Sequence, residues 1–364
     1  KELLFGSNSD GGANNKIVIL DVTDKKNPEW IQSIFYENGG FTHQGYLTED
    51  HRYFFLGDEL DEINYGSPTS TRIFDLKDLS RDQLLDLISL SLIWNKEAHP
   101  KFMADKQLVL IFEKPSLRTR VSFEVGINQL GGQSYLLNEK EMQLGERETV
   151  EDTANVLERY ADMVIIRCFG HGQLIKYARA SSVPVINALT DFSHPCQVLA
   201  DLVTFIEHAH NFDNKKIAWF GDCNNVLQSW IEAAALLNFE LNIACPEGIK
   251  PNAKTMSWAI ERNKNISITH NPIQAADGAN CIITDTWRSM GDTNPTPEDI
   301  FVPFQVNNKI MKVADKKAIF MHCLPAYRDK EVSSEVLEGD CSVVFDEAEN
   351  RLHAQKAIMH FCIN

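Results

Sequence analysis

The sequence predicts an α/β protein: two doubly wound parallel-sheet lobes preceded by a short β-rich segment. Three observations carry that prediction. From Ile73 onward, short apolar runs alternate with segments whose apolar residues recur at helical spacing, the pattern of strand–helix units. Polar clusters follow directly on several of those runs, where open α/β sheets place ligands. The stretch Asn211-Phe212-Asp213-Asn214-Lys215 interrupts the alternation and separates the two lobes.

Residues 1–72 differ from the rest. K-I-V-I-L-D-V at 16–22 is a strand ended by turn chemistry at 23–28, and 41–47 and 53–56 are two more short strands. The acidic run at 58–62 and the loop at 64–68 follow. His43 and His51 read as surface histidines, because their spacing fits no standard ligand set. The first six residues are too polar for a signal peptide. K-I-V-I-L-D-V-T-D at 16–24 echoes T-R-I-F-D-L-K-D at 71–78, and the pattern resembles one or two blades of a secreted β-propeller repeat family. Two blades cannot close a ring, so this segment is expected to be a fusion or assembly artefact joined near the shared F-D-L run.

Beyond it, Leu84, Leu87, Ile88 and their neighbours predict a helix over 80–93, with Ser80 as its N-cap. Strands are expected at 107–112, 133–137, 163–167, 184–187, 216–220, 241–244, 281–284, 318–321 and 342–345. Helices are expected at 119–130, 150–160, 172–180, 195–210, 225–237, 253–263 and 350–360.

Composition narrows the function. A formal charge of -16 excludes nonspecific nucleic-acid binding, which needs a basic face. No apolar run reaches the roughly 18 residues of a membrane span, so no membrane partner is expected. The eight cysteines lie between Cys168 and Cys362 without a C-x-x-C pair, mostly in apolar contexts, which points to a reducing cytoplasm. No metal site and no cofactor are suggested.

The chemistry centres on F-E-K-P-S-L-R-T-R at 112–120, where a strand runs into a helix that opens near Leu117. The first turn of a helix offers free backbone N–H groups and the positive end of its dipole. Ser116 and Thr119 add hydroxyls, and Arg118 and Arg120 add charge, making a phosphate cradle. Further polar clusters end later strands: Arg167; Asp191 to Gln197; Gly221 to Asn225; Asp285 to Gly291; His322 to Pro325.

Taken together, S-L-R-T-R at 116–120, H-P-C-Q at 194–197, D-T-W-R-S-M-G at 285–291 and H-C-L-P at 322–325 resemble the aspartate/ornithine carbamoyltransferase family, over about residues 73–364. The S-M-G and H-C-L-P elements resemble its ornithine-specific branch. The resemblance implies a carbamoyl-phosphate-binding domain at 73–210, an ornithine-binding domain at 211–345, and a C-terminal helix at 346–364 returning to the first. It implies that Ser116, Leu117 (through its backbone), Arg118 and Thr119 hold phosphate, with Arg351 as a further cation. Arg167 and His194 are expected at the carbonyl oxygen, and Gln197 and the Leu324 carbonyl at the carbamoyl amide. Asn225, Asp285, Ser289 and Met290 are expected to hold L-ornithine, with Asp285 near the attacking amine and Cys323 beside it. Gln143 matches a loop that the family lends to a neighbouring subunit, which implies a homotrimer or a multiple of one with shared sites.

The implied reaction is direct attack of the amine on carbamoyl phosphate, giving L-citrulline and phosphate through a tetrahedral intermediate. One departure stands out: Leu117 replaces the family's usual Thr, at an expected cost of about 1 kcal/mol. N-acetylornithine carbamoyltransferases are similar at S-L-R-T-R but lack the S-M-G element. Other acceptors (N-acetylornithine, putrescine, aspartate) and an inactive fusion protein are the alternatives.

Overall fold

The computed structural model describes residues 3–8, 16–21, 29–35, 42–47 and 54–58 as backbone strands, and then residues 73–96, 100–138, 144–288 and 297–363. The chain divides into two compact units, Lys1–Ser70 and Thr71–Asn364. In the first, β1 (Leu3–Asn8), β2 (Lys16–Asp21) and β3 (Glu29–Phe35) form an antiparallel sheet in chain order. The strands β4 (Thr42–Leu47) and β5 (Phe54–Asp58) pair as an antiparallel hairpin. The sequence signals find β2, β4 and β5 but miss β1 and β3, whose residues show no strict apolar alternation.

The second unit holds two five-stranded parallel sheets. The first consists of β6 (Ile73–Phe74), β7 (Gln107–Phe112), β8 (Gln133–Asn138), β9 (Met163–Arg167) and β10 (Val185–Leu189), in the order β6-β10-β9-β7-β8. The second consists of β11 (Lys216–Phe220), β12 (Glu240–Ala244), β13 (Ile266–Thr269), β14 (Cys281–Thr284) and β15 (Ile319–Met321), in the order β13-β12-β11-β14-β15. Strand β9 is buried at every position and β11 at all but its first, as strands covered on both faces must be. In each sheet the order reverses at a neighbouring pair, β7 with β9 and β11 with β14. A crevice opens at the carboxyl ends of such pairs.

Eleven α-helices are described, and five position the site: α1 (Arg81–Lys96), α2 (Leu117–Gln129), α5 (Pro195–Ala209), α6 (Asn225–Leu237) and α11 (Val344–Ile363). Helices α3 (Val150–Leu157) and α4 (His171–Ala180) belong to the first lobe, and α7 (Ala253–Arg262), α8 (Pro272–Ala276), α9 (Asn308–Val313) and α10 (Ser334–Leu337) to the second. Helix α1 opens with a reciprocal cap, in which Ser80 N–H donates to Gln83 Oε1 (2.8 Å) and Gln83 N–H to Ser80 Oγ (3.1 Å). Helix α5 is buried from Pro195 through Phe205, so it has no solvent face along most of its length. It joins one apolar core with Leu110 and Ile165 of the first sheet, Trp219 and Ile243 of the second, and Ala354 and Ile358 of α11.

One expected strand is corrected. Residues 342–345 are not a strand: Ser342 forms an isolated bridge with Phe320, and helix α11 starts at Val344, six residues before the helix expected at 350. The β-branched pair Val343-Val344 gives the local strand signal, but the acidic residues Asp346 and Glu347 favour a helix first turn. Strand β13, an edge strand of four residues with Ile266 alone buried, lies outside the expected strands. No described helix is long and apolar enough to cross a membrane.

Candidate active site

A cleft of about 1090 Å³ lies where the strand ends of the two sheets face each other. Its floor on the first lobe is the start of α2. Ser116 is extended (φ -158°) and caps the helix, its Oγ accepting the Thr119 N–H at 3.2 Å. Leu117, in the first helical position, is 74% exposed, so what it offers the cleft is backbone. Thr119 is buried, and its Oγ1 accepts from Arg351 Nη2 at 3.1 Å and from Arg167 Nη1 at 3.5 Å. Arg118 lines the same cleft. Arg120 does not: it turns outward and donates to Glu124 at 3.1 Å, an i,i+4 pair on the outer helix face.

Three guanidinium groups therefore converge on one helix N-terminus. Burial first, and Arg351 next, lower the Arg167 titration to about 10. Arg351 is likewise shifted down by burial. Arg167 Nε and Arg351 Nε are buried without a partner. Such a cluster is built to receive an anion. His194, the residue before Pro195 at the start of α5, lines the cleft too; it is buried, and its Nδ1 has no partner. Burial, then Arg351, Arg167 and Arg118, hold its imidazole neutral, well below the usual histidine range.

The second lobe supplies carboxylate and amide groups. Asn224 caps α6 through Oδ1, which accepts from Val226 N–H (3.0 Å) and Leu227 N–H (3.2 Å), while its Nδ2 donates to Asp285 Oδ2 at 2.7 Å. Asn225 reaches across the cleft and donates to the Thr190 carbonyl at 2.7 Å. Asp285 Oδ1 accepts the Thr286 N–H at 2.7 Å and the Cys323 thiol at 3.2 Å. Burial, then Asp285 and Glu347, push that thiol well above its ordinary range, so it is a proton donor and not a thiolate. His322 Nδ1 accepts the Leu324 N–H at 2.9 Å and its Nε2 faces Glu331 at 3.2 Å. That bond holds Leu324 in a left-handed backbone (φ 55°), a conformation costing about 1–2 kcal/mol for a residue with a β-carbon.

Of the expected site residues, Ser116, Leu117, Arg118, Thr119, Arg167, His194, Gln197, Asn225, Asp285, Cys323, Leu324 and Arg351 all line this cleft. Gln143, Ser289 and Met290 lie outside the described residues. Lys114, Asn224 and Trp287 also line it and were not among the expected residues. Asn224 and Trp287 fall inside the polar clusters at 221–225 and 285–291, so their position is legible in the sequence. Lys114 pairs with Asp191 and lies 4.2 Å from the Phe169 ring centre; a lysine two residues before a helix cap is no signal by itself. Among the described residues, one set of metal-ligand types meets, with one atom each of Asp285, His322 and Cys323 within 4.8 Å. Each of these three side chains already has the hydrogen-bond partners given above.

Residues 72–207 match the carbamoyl-P binding domain of the aspartate/ornithine carbamoyltransferases, and residues 213–362 match the Asp/Orn binding domain. The chain belongs to the aspartate/ornithine carbamoyltransferase family. Within that family it is 53% identical over 261 residues to the ornithine carbamoyltransferase of Brucella ovis, covering 71% of this chain and 84% of that one. The ornithine carbamoyltransferase of Nitrobacter winogradskyi is 46% identical over 303 residues, 82% of this chain and 98% of that one. Among solved structures, the ornithine carbamoyltransferase from Pyrococcus furiosus is 40% identical with a TM-score of 0.76, covering 80% of this chain and 96% of that one. The anabolic ornithine carbamoyltransferase from Campylobacter jejuni is 40% identical with a TM-score of 0.75, covering 79% and 97%. The carbamoyltransferase match begins at residue 72, and the propeller resemblance of the preceding segment gains no support.

Proposed function

We propose that this chain transfers the carbamoyl group of carbamoyl phosphate to the side-chain amine of L-ornithine, giving L-citrulline and phosphate. One observation carries the reading most: Arg118, Arg167 and Arg351 converge on the capped start of α2, across a cleft from Asp285 and Cys323. In this reading Ser116, the Leu117 backbone, Arg118, Thr119 and Arg351 bind phosphate. Arg167 and the neutral His194 bind the carbonyl oxygen and stabilise the oxyanion as it forms. A neutral imidazole keeps one N–H and can donate it to that oxygen. Gln197 and the Leu324 carbonyl take the carbamoyl amide.

Ornithine lies against Asn225, Asp285, Ser289 and Met290. Its ammonium, with an ordinary pKa of about 10.4, must lose a proton before it attacks. The three guanidinium groups favour that loss, while Asp285 attracts the ammonium on arrival. The Cys323 thiol is held protonated and has no covalent role. Rate arises from positioning two substrates and stabilising developing charge.

Gln143 is assigned to the site of a second copy, in a homotrimer or a multiple of one, working in the cytoplasm without a cofactor. The segment 1–72 is a passenger, followed by a carbamoyl-phosphate domain at 73–210, an ornithine domain at 211–345 and a returning C-terminal helix. The deciding measurement is citrulline formation by the full chain, with N-acetylornithine, putrescine and aspartate as alternative acceptors. Turnover with one of those in preference to ornithine would overturn the acceptor. A chain beginning at Ile73 should be equally active; loss of activity would overturn the passenger role.

A further inference from the structure

The carboxyl groups of Asp201, on α5, and Glu347, on α11, meet behind the cleft, and both are 1% exposed. Gln197 stands between them and the cleft. Its Nε2 donates to Asp201 Oδ1 at 2.8 Å and to Glu347 Oε1 at 3.1 Å, and its Oε1 accepts from Arg351 Nη1 at 2.5 Å. A guanidinium has donors only, and two acids that share a proton with each other offer the amide acceptor oxygens, so both ends of this amide are set by the chemistry of their neighbours. The remaining oxygens of the acid pair are also used. Trp230 Nε1 donates to Asp201 Oδ2 at 3.1 Å, and His322 N–H to Glu347 Oε2 at 2.8 Å. Burial raises Asp201 to about 7 and Glu347 well above its usual range, so the pair retains a proton that eases the repulsion of two adjacent carboxylates.

We propose that Asp201 and Glu347 are positioning residues that lock the Gln197 amide with its oxygen toward the cleft, and so select an acyl phosphate carrying an N–H donor over one carrying a methyl group. The inference rests on carbamoyl phosphate being the donor substrate. Its NH2 can occupy the acceptor that Gln197 presents. Acetyl phosphate, of nearly the same size, leaves the second lone pair of that buried oxygen, whose first accepts from Arg351, without a donor, which is how a hydrogen-bonding site rejects an isostere. A flipped Gln197 would aim donors at Arg351 and the substrate NH2 and its oxygen at the two acids, so Arg351 and the acids hold the acceptor in place from opposite ends.

E347Q and D201N test this with almost no change of volume. Each leaves one carbonyl oxygen to serve two N–H donors, Gln197 with His322 in the first and Gln197 with Trp230 in the second. In the full chain, both should raise KM for carbamoyl phosphate about 10-fold and lower the binding preference for carbamoyl over acetyl phosphate by at least about 10-fold, with KM for ornithine changed less than about threefold. In a Q197L background neither should lower the preference further, because they act through Gln197. A preference unchanged in either folded variant, or lowered equally in the Q197L background, overturns the proposal. Should one variant fail to fold, the other decides alone; should neither fold, Q197L decides, since an undiminished preference in it refutes the lock and a lost one supports it. A wild-type chain that prefers carbamoyl phosphate in calorimetry but forms no citrulline would remove the assigned reaction and leave the lock standing.

Discussion

Replacing Arg351 by Met should weaken phosphate-ligand binding strongly while leaving the unliganded protein about as stable as before. Arg167 titrates at about 10, through burial first and Arg351 second, whereas an ordinary guanidinium stays protonated to above about 12. At about 1.4 kcal/mol per pH unit the folded protein carries a cost of about 3 kcal/mol for that charge. The native state binds fewer protons than the unfolded chain only between those two values. Stability therefore rises with pH in that window alone, and below it the cost is constant.

R351M relieves the Arg351 share of this cost. It also deletes hydrogen bonds to Gln197 Oε1 (2.5 Å) and Thr119 Oγ1 (3.1 Å). Arg351 is itself shifted down by burial despite those bonds, so loss and relief nearly cancel, to within about 2 kcal/mol. A bound phosphate loses charge-assisted hydrogen bonds worth about 3–4 kcal/mol, or about 100- to 1,000-fold in Kd. Urea unfolding of the full chain gives the first quantity and calorimetric titration with carbamoyl phosphate the second. A fall in stability above about 4 kcal/mol with Kd moved less than about threefold would refute the reasoning.

Three further substitutions probe other parts of the cleft. H194N should lower kcat about 100-fold or more while the acid limb of the pH–rate profile stays in place, since the imidazole is already neutral there; a limb that vanishes would contradict this. Because the unfolded imidazole takes up a proton below about pH 6.5 and the native one does not, wild-type stability falls as pH drops through that value, and H194N should flatten the decline in denaturant midpoints. C323A should keep kcat/KM within about 10-fold, and iodoacetamide at neutral pH should leave Cys323 unlabelled; an alkylated Cys323 peptide in mass spectra would show a reactive thiolate instead. L117T should change KM for carbamoyl phosphate less than about threefold, because the side chain at this position points to solvent; a larger gain in affinity would place the hydroxyl in the phosphate site.

The cleft was legible because its residues sit at strand ends and helix starts, where a local pattern marks both position and chemistry. S-L-R-T-R and H-P-C-Q are of this kind. Arg120 was misleading only when read with its neighbours in the motif; Glu124 four residues on, its partner on the outer face, was visible in the same stretch. The acids behind Gln197 were less accessible. Asp201 lies four residues after Gln197 and hence on its helix face, but nothing near Glu347 says that it will be buried against a residue 150 positions earlier. The strand expected at 342–345 failed for a related reason: two adjacent valines describe local preference, and the packing of α11 against α5 overrides it.

Thr119 and Arg351 are 232 positions apart and meet at 3.1 Å. On a ribosome adding about 5–20 residues per second, the lobe that begins the phosphate cradle waits roughly ten to fifty seconds for the cation that completes it. For most of that interval, once Arg167 has been added, the nascent chain has Arg118 and Arg167 but not Arg351, and lacks the side of the core that α11 covers. Competence for the reaction is thus a late event in synthesis, tied to the docking of one helix. A nascent chain arrested before that helix emerges would carry most of the motif residues and none of the assembled site.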